Sequence, residues 1–152
     1  MDFVSFEIAK SLKEKGFKEK CVAYYWISIN EHTPSFVVED NMPDEGICII
    51  DLLSEHNKAE WSPFIDAPTI SQVLKWLREV KKIFVAINIG YCYESDEIPF
   101  PTNHKMEPIL KGYYYGIWEL DNLNDKNARS EYFEDYEQAA VAGIEYVLDN
   151  LI

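Results

Sequence analysis

The sequence is poor in the residues that most catalytic and ligand-binding motifs require. It contains six glycines, three histidines and three cysteines among 152 residues. No Gly-rich phosphate loop, GxSxG nucleophile turn or HExxH metal motif occurs. The cysteines are odd in number and no two form a CxxC pair, which argues against a zinc site and a redox dithiol. We therefore predict no cofactor, no metal site and no catalytic residues, and favour a non-enzymatic role.

Long hydrophobic runs are also missing. No apolar stretch approaches the roughly 18 to 20 residues that cross a bilayer. The first residues contain an early acid, Asp2, and lack the basic region that opens a secretory signal peptide. The sequence thus predicts a cytoplasmic protein without a membrane partner.

Basic residues are scarce, with 14 Lys and Arg against 27 Asp and Glu, a formal net charge of −13. Such a chain repels phosphate backbones, so we expect no nucleic-acid partner. The strongest basic cluster comprises Lys75, Arg78, Lys81 and Lys82. The acidic excess is explained either by solubility alone or by a surface that competes with nucleic acid for a basic partner.

Apolar residues make up 47% of the chain and aromatic residues 14%, enough for a core. We expect a single domain over residues 1–152, with long loops near 30–66 and 92–112. Apolar stripes at helical spacing predict helices over 2–15, 68–82 and 136–151. Gly16 is expected to end the first helix, Thr69 or Ser71 to start the second, and Asp135 or Glu134 to cap the third.

Runs of β-branched and aromatic residues predict the strands. The predicted strands span 22–29, 35–39, 47–53, 83–89, 113–120 and 131–133. The element order is α-β-(β)-(β)-α-β-β-β-α, an α+β fold with three helices and a mostly antiparallel sheet of about four to six strands. All three helices are expected on one face of that sheet. The expected core residues are Ile8, Leu12, Leu74, Leu77, Ile144 and Leu148.

Aromatic residues are the most specific feature. Strand alternation is expected to place five rings on the sheet face away from the helices: Tyr24, Trp26, Phe84, Tyr113 and Tyr115. Such a face carries more apolar surface than a solvated face needs. A protein partner, a second copy or the two long loops are the alternative covers, and the oligomeric state is left open. Trp26 is the expected anchor residue if a partner binds.

Two segments resemble a known group of proteins. The helix Ala67-Pro68-Thr69 through Lys75-Trp76-Leu77-Arg78-Glu79 and the tail Tyr132-Phe133-Glu134-Asp135-Tyr136 through Ala142-Gly143-Ile144 are similar to small proteins of bacteriophages and mobile elements in gut bacteria. The first helix fits the same group. That group has no assigned activity, so the resemblance implies a genomic setting and a fold.

These observations favour a non-catalytic binding or accessory protein of a phage or mobile element that acts through protein contacts. The alternative is a small hydrolase or metal-dependent enzyme whose site lies where the loops 30–66 and 92–112 meet. That site would use His56 or His104 with nearby carboxylates, and His32 is the third loop histidine.

Overall fold

Side-chain and backbone caps set the ends of the helices. The computed structural model describes residues 2–26, 34–38, 64–92, 109–120 and 128–152. Helix α1 (Phe6–Glu14) begins at Ser5, whose hydroxyl accepts a hydrogen bond from the Ile8 N–H. The helix starts later than the predicted residue 2, because Phe3 is extended and forms a β-bridge to Thr69.

Gly16 ends α1, as predicted. It has a φ of 87°, its N–H donates to the Lys13 carbonyl, and the Phe17 N–H donates to the Leu12 carbonyl. This double hydrogen bond is a Schellman motif, which requires the left-handed conformation that glycine adopts at little cost. The turn directs the Phe17 ring back into the core, where it packs edge-on against Trp76.

Helix α2 (Ile70–Glu79) opens with a capping box. The Thr69 hydroxyl accepts from the Gln72 N–H, and the Gln72 side chain accepts from the Thr69 N–H. Helix α3 (Tyr136–Asn150) is capped by the Asp135 carboxylate, which accepts from the Gln138 N–H at 2.7 Å. Thr69 and Asp135 are thus the residues that start the second and third helices.

The described strands form two three-stranded antiparallel sheets. Sheet 1 has the order β2-β1-β3, with β1 Ala23–Trp26, β2 Ser35–Val38 and β3 Phe64–Asp66. Sheet 2 has the order β4-β5-β6, with β4 Ile83–Cys92, β5 Ile109–Glu119 and β6 Ala128–Arg129. Within the described residues, the α+β class, the three predicted helices and the antiparallel pairing are confirmed.

Several details of the strands differ from the prediction. β3 lies in a predicted loop, β5 begins at Ile109 instead of residue 113, and β6 lies in a predicted turn. The predicted return strand 131–133 is represented by a single bridge between Tyr113 and Phe133. The predicted strand 47–53 and residues 27–29 of the first predicted strand lie outside the described residues.

The helices are shared between the two sheets, so the expected packing of all three on one sheet is wrong. α2 and α3 pack on sheet 2, while α1 contacts β3 of sheet 1. One buried cluster joins them and includes Ile8, Leu12, Leu77, Ile144 and Leu148, as predicted. Leu74 is only partly buried and packs against this cluster, because Trp76 and Val73 fill the centre of the α2 contact instead.

Candidate functional site

Sheet 2 has two faces of different character, and the pairing of β4 with β5 assigns each residue to one of them. Phe84 pairs with Trp118, Ala86 with Gly116, and Asn88 with Tyr114. Side chains of directly paired residues lie on the same face of a sheet. These six residues therefore share one face, and the alternate residues of both strands form the other.

The alternate residues face the helices. Val85 pairs with Ile117, and both side chains are buried. Helix α3 approaches so closely that a Cβ added at Gly143 would lie 2.7 Å from Val85 Cγ1 and 3.2 Å from Tyr115 Cβ. This face is therefore the inner face of sheet 2.

Tyr113 and Tyr115 lie on this inner face, so their expected place beside Phe84 is wrong. They lie four and two positions before Ile117 on β5 and therefore on the same face as Ile117, whose side chain is fully buried against the helices. The Tyr115 ring stacks on Phe133 and lies 6.1 Å from the Tyr146 ring. Burial raises the pKa of Tyr115, and the neighbouring Tyr146 adds to the increase.

The opposite face of sheet 2 is rich in aromatic side chains, and no described helix packs on it. We call it the outer face, formed by Phe84, Ala86, Asn88, Tyr114, Gly116, Trp118 and Arg129. The Phe84 and Trp118 rings lie 6.1 Å apart, and the Phe84 side chain is 38% exposed. The outer face therefore presents rings and small residues without a carboxylate among its members.

Tyr132 extends the outer face at the far end of β4. Its ring lies over Gly90, where an added Cβ would be 2.0 Å from Tyr132 Cε1, so only glycine fits there. The same ring contacts Tyr114 edge-on at 5.7 Å and remains 44% exposed. A glycine in the strand thus makes room for an aromatic side chain from the segment after β6.

Arg129 is the single charged member of the outer face. Its guanidinium carbon lies 4.1 Å from the centre of the Tyr114 ring, within the range of a cation–π interaction. Nη2 also donates a hydrogen bond to the Tyr132 hydroxyl at 3.2 Å. These two contacts hold the guanidinium beside the Tyr114 and Tyr132 rings, and Arg129 as a whole stays exposed.

Tyr24 and Trp26 belong to sheet 1 and not to the sheet that carries Phe84. They alternate with Tyr25, which packs inward against Phe6, so their predicted shared side of β1 agrees with the structure. Tyr24 meets Phe64 of β3 edge-on at 5.4 Å, and Trp26 is 43% exposed. The five predicted rings are therefore distributed over three sheet faces, and a binding role for any of them stays a prediction.

Tyr114, Trp118, Arg129 and Tyr132 are members of this surface that were not predicted from the sequence. A signal for the first two was present, because Ile117 is the one aliphatic residue in the middle of the aromatic run 113–118. Placing Ile117 in the core sends Tyr114 and Trp118 to the outer face by alternation. Arg129 and Tyr132 reach the outer face through β6 and the Tyr113–Phe133 bridge, which are non-local contacts.

Grooves elsewhere on the described surface offer little chemistry. One of about 260 Å³ lies beside the start of α2 and α3 and is lined by Thr69, Ser71 and Glu137, among others. A second, of about 190 Å³, lies between α1 and α3 and includes Glu7, Glu145 and Asp149. In the described part of the chain, no three His, Cys, Asp or Glu side chains are grouped so that they could hold a metal ion.

The histidines of the alternative enzymatic hypothesis, His32, His56 and His104, lie outside the described residues. Across the described ranges, no helix is both long and apolar enough to cross a membrane.

Comparison with known proteins gives no relative: no family model, curated protein or solved structure matches this chain.

Proposed function

We propose that this protein is a non-catalytic binding module that recognises another protein through the outer face of sheet 2. The observation that carries the proposal is the composition of that face. Trp, Tyr, Phe and Arg are enriched in protein interfaces, whereas Lys, Glu and Asp are depleted. The outer face combines Trp118, Tyr114, Phe84 and Arg129 in a chain that is 27% charged overall.

The contacts within the outer face support a role as a preformed binding surface. Tyr114 is held between Arg129 on one side and Tyr132 at its edge. Rings that are already fixed lose less conformational entropy when a partner binds, so more of their contact free energy remains as affinity. Trp118 and Arg129 are the residue types that dominate binding hot spots.

The partner is a protein with a neutral or basic surface around an apolar centre. A net charge of −13 repels nucleic acid and anionic membranes but attracts basic proteins at long range. We also propose a cytoplasmic location and a genomic setting in a phage or mobile element. The resemblance of the α2 and tail segments supports this setting.

The test is reconstitution with defined partners. Proteins encoded by the neighbouring genes are purified, and their affinities for this chain are measured by calorimetry. We expect one of them to bind, and Trp118→Ala to weaken that binding at least about tenfold, as for a hot-spot residue. Arg129→Ala is expected to weaken the binding as well, and this variant tests the same face with the Trp118 side chain still in place.

Trp26→Ala is the matched control, since Trp26 is an exposed tryptophan on sheet 1. Its affinity should equal that of the wild type, and thermal unfolding confirms that each variant is folded. A partner whose affinity depends on Trp26 and is unaffected by Trp118→Ala and Arg129→Ala would overturn the proposal. So would the failure of every neighbour-encoded protein to bind.

A further inference from the structure

The outer edge of β4 is a second candidate interaction surface, separate from the outer face. β4 is the first strand in the order β4-β5-β6, and within the described residues it pairs only with β5. The Leu120 N–H donates to the Lys82 carbonyl at 2.8 Å, so the backbone groups of Lys82 point toward β5. The direction alternates along an antiparallel strand.

This alternation identifies the groups at the edge. The N–H and C=O groups of Phe84, Ala86 and Asn88 point toward β5, and those of Val85, Ile87 and Ile89 point away from it. The second set forms a row of donors and acceptors along the outer edge of β4. Such a row is a template for adding another strand.

Natural edge strands usually carry features that prevent this addition. Charged side chains, prolines and bulges are the common ones. β4 has the sequence IFVAINIGYC, with no charge and no proline in ten residues, and its register stays regular up to Gly90. Ile89 is 47% exposed near the far end. β4 therefore lacks the usual protection along the stretch where its edge groups point outward.

We propose that β4 pairs antiparallel with β4 of a second copy of this chain, which joins two three-stranded sheets into one of six strands. The charges that flank β4 favour this orientation. Lys81 and Lys82 directly precede the strand, and no charged residue lies within it. Antiparallel pairing places Lys81 and Lys82 of the two copies at opposite ends of the joined strands, so these like charges stay apart.

Parallel pairing would bring like charges together instead, and a twofold axis naturally generates the antiparallel arrangement. The uncharged centre of β4 introduces no repulsion between two copies that each carry −13. The inference is independent of the proposed partner on the outer face, because it rests on the backbone of β4 and not on the aromatic side chains.

The first test is sedimentation over a concentration series up to millimolar. We expect the wild type to show a monomer–dimer equilibrium. Ile89→Pro removes one outward N–H while leaving the hydrogen bonds to β5 in place, since proline is tolerated at such edge positions. It should weaken dimerisation at least about tenfold. Ile89→Ala shortens the same side chain but keeps the N–H, and should dimerise like the wild type.

The second test uses the wild type alone and applies even if Ile89→Pro does not fold. In amide hydrogen exchange, Ala86 and Asn88 should be protected at every concentration, because their N–H groups bond to β5. Protection of Ile87 and Ile89 should rise with protein concentration.

Three results would overturn the inference. One is a protein that stays monomeric throughout the series. Another is protection of Ile87 and Ile89 that is independent of concentration, which means that the edge is paired within one chain. The third is a dimer in which these two amides stay unprotected, which places the interface elsewhere.

Discussion

Tyr25 connects the segment before α1, the helix α1 and the strand β2 through its side chain. Its hydroxyl donates a hydrogen bond to the Val4 carbonyl at 2.6 Å, and its ring packs against Phe6 and Phe36. Burial raises the pKa of Tyr25 above the ordinary value of 10.0, and the nearby Glu7 carboxylate raises it further. The folded state thus favours the protonated phenol.

This shift determines how stability depends on alkaline pH. Because the pKa of Tyr25 is higher in the folded state, its stabilising effect is complete below pH 10 and is lost as pH rises through the folded pKa. Tyr25→Phe should cost about 1 kcal/mol at neutral pH through the lost hydrogen bond. Above pH 10, the unfolding free energy of Tyr25→Phe should fall less steeply with pH than that of the wild type.

Urea unfolding at a series of pH values measures both effects. Tyr115→Phe is the comparison, since the pKa of Tyr115 is also raised but no described hydrogen bond holds its hydroxyl. It should reduce the alkaline slope with a smaller loss at neutral pH. Identical slopes for Tyr25→Phe and the wild type would contradict the assignment.

At the scale of elements, the helix ends could be predicted from the sequence, and the short strands that depend on pairing could not. The end of α1 at Gly16 and the caps Thr69 and Asp135 depend on residues within four positions, so the sequence contains what determines them. β3 and β6 have three and two residues, and each exists because a longer strand lies beside it. A two- or three-residue segment has no periodicity that could indicate a strand.

At this scale, we predict how much stability is lost when two buried helix residues are shortened. Leu77 of α2 and Ile144 of α3 are fully buried in the same cluster. Leu77→Ala and Ile144→Ala should each lower the unfolding free energy by about 2 to 5 kcal/mol, because they remove buried methyl groups and leave a cavity. Chemical denaturation measures the change.

Val80 is the control within α2's own apolar stripe. Val80 is 56% exposed at the C-cap of the helix, so it buries little apolar surface. Val80→Ala should change stability by less than about 0.5 kcal/mol. Losses below 1 kcal/mol at both Leu77 and Ile144 would mean that neither residue is in the core.

For the whole molecule, the sequence predicts the class of fold. It also contains many aromatic residues, but it does not predict which sheet face each of them occupies. Alternation correctly separates Tyr114 from Tyr113 and Tyr115, yet it cannot state which set faces the helices. That choice depends on Ile117 and on the close approach of Gly143, which are contacts between distant segments. The division of strands between two sheets is likewise set by pairing and not by any local pattern.

The charge of the whole molecule predicts that it does not bind duplex DNA. The basic cluster lies on and just after α2, and three of its members are already engaged with protein atoms, including Lys82, whose Nζ donates to the Glu79 carbonyl at 2.9 Å. Arg78 lies 3.6 Å from the Glu79 carboxylate, and Lys81 donates to the Lys15 carbonyl and lies over the Trp76 ring. Counterion release from so few contacts is too small to overcome a net charge of −13.

Fluorescence anisotropy with a labelled duplex measures this over a salt titration. No binding is expected near 0.15 M salt, which is about physiological ionic strength. Lys75→Glu, at an exposed position of α2, should then leave the anisotropy unchanged over the whole titration. Sub-micromolar affinity would disprove the prediction if its logarithm fell with log salt at a slope near −4, since each phosphate contact contributes roughly −0.9. A slope of that size would require all four basic side chains to reach phosphates, and Arg78, Lys81 and Lys82 would have to leave their present contacts.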